Sequence, residues 1–181
     1  MSVVARLTDA GLGLGYDELR LDSTTVAWQA AGEALRDHVA DVLAGLAADV
    51  AQIGSTSVVG LLAKPIVDLA VGLAPDQDLD PIRSRLEGDG WIYRGDAGDD
   101  GGHVLVLESR PWYRVAHAHV VPAGGAQWRN YLQLRDLLRA SPDARDRYAA
   151  VKLSLLASSG NDRAAYTTGK TEIVTSLLAK G

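Results

Sequence analysis

The segment QIGSTSVVGLLAKPIVDLAVGL, residues 52–73, sets a glycine and three hydroxyl residues ahead of an apolar run that carries two opposite charges, Lys64 and Asp68. Burying a charge without a partner is expensive. Either the two charges pair with each other, or Asp68 stands at a working position where the strand faces a cleft. Gly54 has no Cβ, so the backbone there can approach a ligand closely. The Ser55 hydroxyl beside it can bond a phosphate oxygen. A second polar group lies downstream, in WYRVAHAHVVP. There His117 and His119 alternate with Ala116 and Ala118, so a strand puts both imidazoles on one face. Two imidazoles and Asp68 from a neighbouring strand form a mixed nitrogen and oxygen set, suited to zinc, manganese or iron more than to magnesium. The same histidines can equally serve as phosphate donors, as an acid–base pair, or as partly buried sheet residues bonded to their neighbours.

These residues need a frame, and its elements are legible in the pattern. Residues 1–22 are glycine-rich and weakly patterned, and they read as an irregular lead-in. STTVAWQAAGEALRDHVADVLAGL repeats apolar residues at helical intervals, with Ser23 or Thr24 as its N-cap. VAQIGS reads as a strand ending at glycine. STSVVGLLA reads as a turn or a single helical turn. KPIVDLAVGL reads as a strand with Pro65 near its first position. PDQDLDPIRSRLEGDG is a helix between turn signals. WIYRG, HVLVLES and WYRVAHAHVVP are strands, and DAGDDGG is an exposed turn whose spacing does not fit a calcium loop. From residue 126 onward only helical patterns remain, broken at Ser141-Pro142 and around 158–161. The expected architecture is α/β (α+β): a mixed sheet with flanking helices over residues 23–125, and a helical subdomain over 126–181 packed on it.

Composition narrows the function classes. The chain has 181 residues, of which 47% are hydrophobic and 23% charged, with 18 basic and 23 acidic side chains for a net charge of −5. That balance argues against a broad nucleic-acid-binding surface but leaves room for a small anionic ligand, which a few placed cations can hold. Cysteine is absent, which removes disulfides, thiolate nucleophiles and cysteine–metal sites. No apolar run reaches membrane-spanning length and the first residues do not form a signal peptide, so the expected compartment is the cytoplasm. Among the cations, Lys152 and Lys170 fall among apolar residues of the later helices, and Arg135 stands beside an apolar helix face. Each reads either as a solvated or salt-bridged residue or as part of a pocket. Arg139, Arg145 and Arg147 read as solvated or salt-bridged.

Gly-Ser followed by an aspartate strand resembles the nucleotidyltransferase superfamily signature. There carboxylates hold a divalent metal, and the metal with the Gly-Ser turn holds a triphosphate. The chain departs from that pattern in one place: Ala70 stands where the second acid belongs. More of the chain resembles the GrpB family, also called UPF0157. IGSTSVVGLLAKPIVDLAV is similar to that family's IGSTSVPGLAAKPIIDI, with Val59 in place of its proline. RVAHAHVVPAGGAQWRNYLQLRDLLRASPDARDRYAAVKLSL is similar to its histidine strand, its Trp-Arg step and its FRDYLR and YAALK helices. DRAAYTTGKTEIV is similar to its AYTEAKTAFI. The resemblance runs from about Trp28 to the C-terminus and implies a nucleotidyltransferase-like fold. It picks out Gly54, Ser55, Thr56, Lys64, Asp68, His117, His119, Trp128, Arg129, Arg135, Asp136, Lys152, Tyr166 and Lys170. On this reading Asp68, His117 and His119 do the chemistry or hold a divalent metal (magnesium or manganese, or zinc). Gly54, Ser55, Thr56, Lys64, Arg135, Lys152, Tyr166 and Lys170 bind substrate and phosphate. The implied activity is transfer of a nucleotidyl group from a nucleoside triphosphate to a small acceptor. The alternatives are a ligand-binding or accessory domain without catalysis, and another group-transfer or ligase reaction.

Overall fold

The computed structural model describes residues 1–46, 49–98, 102–159, 166 and 168–179. Part of the DAGDDGG turn (99–101), the break at 160–161 and the start of the last helical segment (162–165 and 167) lie outside them.

The sheet is mixed. Its strands are β1 (Leu14–Gly15), β3 (Asp49–Ile53), β5 (Val67–Leu73), β6 (Trp91–Asp96), β7 (His103–Arg110) and β8 (Tyr113–Pro122). The order is β3-β5-β8-β7-β6, and β1 pairs with the start of β8. All neighbours are antiparallel except β5 and β8, which run parallel at the centre. That register sets Asp68 beside His117 and Ala70 beside His119. Two short strands, β2 (Asp22–Ser23) and β4 (Leu62–Ala63), pair on their own.

Alternation divides the central strands between two cores. One face carries Val67, Leu69 and Val71 of β5 with Ala116, Ala118 and Val120 of β8, all closed from solvent. Three helices complete this core through Leu7, Leu35 and Val39, and Ile82 and Leu86: α1 (Val3–Asp9), α2 (Val26–Val42) and α3 (Leu79–Gly88). The other face carries Ile53, Ala70 and Val121, and Trp128 of α4 (Ala126–Ala140) packs on them. Trp128 is thus a core residue. The chain continues with α5 (Pro142–Ser159) and, later, α6 (Thr171–Leu178). Leu138 of α4, Ala144 and Tyr148 of α5 and Leu177 of α6 bury Val58 and Leu61 of the loop after β3.

The lead-in departs from the sequence expectation. Residues 3–9 are helical because Ser2 Oγ accepts the Ala5 N–H at 3.2 Å and Leu7 plugs into the main core. Trp28 Nε1 donates to the Ala10 carbonyl at 2.9 Å and ties the segment down. The N-cap of α2 also differs: Thr25 takes the Trp28 N–H. Thr24 instead donates its hydroxyl to the Ser55 carbonyl at 3.2 Å. Pro65 lies before β5 rather than in it, so its missing N–H costs no ladder bond. No helix among the described residues is long and apolar enough to cross a membrane.

Candidate functional site

A cavity of about 510 Å³ opens between the α4 face of the sheet and the C-terminal helices. All eleven catalytic and substrate-binding candidates named from the sequence line it: Gly54, Ser55, Thr56, Lys64, Asp68, His117, His119, Arg135, Lys152, Tyr166 and Lys170. They come from widely separated parts of the chain. Asp68 and the histidines stand on β5 and β8. Residues 54–56 form the turn after β3, Lys64 precedes β5, and the rest arrive with the helices.

The turn after β3 gathers the polar groups. Gly54 holds φ +70° and ψ −176° and leads a single 3-10 turn, Ser55–Ser57. A Cβ at Gly54 would sit 2.6 Å from Asp68 Oδ2, so only glycine lets the turn cross the carboxylate this closely. The turn is held from several sides. Thr24 bonds the Ser55 carbonyl, and Ser57 Oγ donates to the Gly54 carbonyl at 2.6 Å. Arg139 donates from Nε and Nη2 to the Ser57 carbonyl at 3.1 and 3.0 Å. Arg139 is therefore a positioning residue rather than part of a solvated face. Arg145, expected on such a face too, donates to the Leu138 and Arg139 carbonyls at the end of α4. No pattern in the sequence shows that Arg139 meets Ser57, because the contact spans the whole α/β core.

The Asp68 carboxylate lies 3.2 Å from His117 Nδ1 and 3.6 Å from His119 Nε2. One potential ligand atom from each residue falls within 4.8 Å of the others. Burial opposes ionisation of Asp68, but the hydrogen bonds and charges of the two imidazoles outweigh it and hold its carboxyl well below the usual carboxylate range. Burial also pushes the His117 imidazole down against the pull of Asp68. A neutral imidazole with its proton on Nδ1 still donates to the carboxylate, so both directions describe one arrangement. The His119 ring lies 5.6 Å from that of Tyr131 on α4, a neighbour the sequence reading did not single out.

The cations surround this centre. Lys64 Nζ sits 4.2 Å over the Tyr166 ring and Lys170 Nζ 5.1 Å from it. Arg135 donates to the Gln52 carbonyl at 3.2 Å and pairs with Asp136 at 2.7 Å. Lys152 is only 2% exposed. Its Nζ lies 3.0 Å from Ser55 Oγ and donates to the Leu62 carbonyl. Burial, with Lys170 adding repulsion, brings the Lys152 ammonium down to about 7. Burial pushes the Tyr148 phenol up to about 12. Tyr148 lines the cavity and went unnoticed in the sequence because its apolar neighbours on α5 mark it as core.

The lysine shift predicts a pH dependence of stability. An unfolded lysine keeps its proton to about 10.5, whereas Lys152 releases it near 7 in the folded chain. Between those values the unfolded state binds more protons, so stability rises with pH. Urea denaturation should give a higher midpoint at pH 9 than at pH 7, with Lys152 contributing at most about 1.4 kcal/mol per pH unit. Lys170 is shifted the same way by burial. Lys152→Met should flatten part of the rise. An unchanged slope in that variant would show that Lys152 titrates normally.

The comparisons with known proteins agree on one family. The family model described as GrpB protein matches residues 18–180. A UPF0157 protein of Streptomyces coelicolor is 34% identical over 163 residues, 90% of this chain and 84% of that protein. A UPF0157 protein of Pseudomonas aeruginosa is 37% identical over 153 residues, 83% of this chain but 61% of that longer protein. The crystal structure of conserved protein GrpB from Enterococcus faecalis superposes with a TM-score of 0.75 at 26% identity, covering 89% of this chain and 98% of that one.

Proposed function

The chain belongs to the GrpB family, and we propose that its cavity binds a nucleoside triphosphate with a divalent metal and transfers the nucleotidyl group to a small acceptor. The observation that carries this reading is the one-sided charge of the cavity. Among the described residues, Lys64, Arg114, Arg135, Lys152 and Lys170 line it against one carboxylate, Asp68, in a chain whose net charge is −5. Cations concentrated against the overall balance favour a polyanionic ligand. Thr56 Oγ1 adds to this: it is buried and has no hydrogen-bond partner among the described residues, and it belongs to a residue that lines the cavity.

The donor set also bears on the metal. Asp68, His117 and His119 offer one oxygen and two nitrogens, which fits manganese or zinc. Magnesium prefers oxygen ligands, and Ala70 leaves it a single carboxylate. A bound manganese or zinc ion would polarise phosphate oxygens and neutralise developing charge. The chain's own groups do the rest. Gly54 lets phosphate approach the backbone, and Ser55 and Thr56 offer hydroxyls. Lys64, Lys170 and Arg135 balance charge. This assignment extends the likeness to nucleotidyltransferases from motif to chemistry.

The test is pyrophosphate release from each common nucleoside triphosphate with manganese, zinc or magnesium, across small hydroxyl, amine and phosphate acceptors. Release that needs both metal and acceptor supports transfer. The lost acid at Ala70 favours a second reading, in which the cavity holds its ligand without turnover; binding without pyrophosphate release would select it.

A further inference from the structure

Lys152 is poorly placed to serve only as a phosphate clamp. A clamp works as a hydrated, fully charged ammonium. Lys152 is 2% exposed, its Nζ is directed at Ser55 Oγ, and the Leu62 carbonyl takes one of its protons. The Tyr148 ring lies 4.5 Å from Lys152 Nζ. Ser55 is half-buried, lines the cavity and opens the turn that Gly54 makes possible. A hydroxyl within hydrogen-bond reach of a base, the base oriented in turn by a third group, is the general signature of an activated nucleophile, and Ser–Lys pairs are one of its forms.

We propose that Ser55 is a nucleophile activated by Lys152, and that the cavity supports acyl transfer from an activated ester or thioester through an acyl-Ser55 intermediate. The Ser55 Oγ–carbon bond forms as the hydroxyl proton passes to the neutral Lys152 amine. The tetrahedral adduct then collapses, the bond to the leaving oxygen or sulfur breaks, and Lys152 returns the proton to that atom. Water or an acceptor amine or hydroxyl then takes the acyl group from Ser55 in the reverse sequence. Lysine made neutral by desolvation and by a neighbouring cation is a recognised base, and the lowered Lys152 value agrees with that. The described titratable groups around it are Tyr148 on its own helix, Lys170 and Tyr166 from the chain that follows, and Lys64 and Asp68 across the cavity.

The experiment uses the full chain with p-nitrophenyl acetate, read by nitrophenolate release and by peptide mass mapping. The expected result is one acetyl group per chain on Ser55, formed at a rate that rises through about pH 7. Ser55→Ala should carry none. Lys152→Met should acetylate about 100-fold or more slowly, the usual contribution of a positioned base. Lys152→Arg, which keeps a cation but accepts no proton, should stay as slow. Acetylation elsewhere or nowhere, a pH-independent rate, or full rescue by Arg would overturn the proposal. Should Lys152→Met not fold, the wild-type map, its pH profile and Ser55→Ala still decide. Pyrophosphate release is not read in this assay, so failure here leaves nucleotidyl transfer standing, and the reverse holds.

Discussion

Asp68→Asn is expected to remove the metal-dependent part of ligand binding while leaving the fold in place. The substitution keeps the side chain's shape between His117 and His119 and removes only the charge. Burial already favours the neutral forms of His117 and of Lys170, which Asp68 otherwise helps to charge, so the penalty for breaking a buried ion pair is reduced. The metal loses its one anionic ligand. Even outer partners of metal ligands are worth about 10- to 100-fold in affinity, so the loss here should be at least about 100-fold for manganese or zinc. Isothermal titration of each metal into wild type and variant measures it. Equal affinities would remove Asp68 from the metal site.

Gly54→Ala should damage stability and site together. The backbone at φ +70° and ψ −176° is in a region held almost only by glycine, at a cost of about 1–3 kcal/mol for other residues. The new Cβ would also meet Asp68 Oδ2 at 2.6 Å, so the carboxylate must move away from the imidazoles. The melting temperature should fall by roughly 2–4 °C for each kcal/mol lost in a chain of this size. Gly60→Ala is the comparison. Gly60 has φ +83° and open space where its Cβ would be, so that variant should lose stability and keep ligand binding. Equal loss of binding in both would mean that Gly54 acts through backbone strain alone.

What the sequence made legible follows from the range of each interaction. Ala116 and Ala118 alternate with His117 and His119, and period-two alternation fixes which face each side chain takes; the alanines are in the core and the histidines line the cavity. The mixed sheet, its flanking helices and the helical C-terminal extension follow from local patterns in the same way. Lys64 and Asp68, the charge pair in an apolar run, both line the cavity. There Asp68 meets the two histidines and Lys64 the Tyr166 ring. Residues 3–9 were illegible as a helix because one buried side chain, Leu7, and a serine cap hold so short an element. Arg139 and Tyr148 were illegible for another reason. Arg139 bonds Ser57, 82 positions away, and Tyr148 faces a cavity that the distant Gly54–Thr56 turn also lines; no spacing rule on α4 or α5 contains those distances. The Ser55–Lys152 contact is of the same kind.

On the proposed function, Asp68, His117 and His119 hold a metal that joins a phosphate ligand to the Gly54–Ser55 turn. Thermal melts of the wild-type chain with each nucleoside triphosphate, with and without manganese or zinc, test it most directly, because a ligand that binds only the folded state must raise the melting temperature. The expected result is a rise with one triphosphate that exceeds the sum of the shifts from metal alone and nucleotide alone, and that vanishes in Asp68→Asn. Melting temperatures that no triphosphate raises under any metal condition would contradict it.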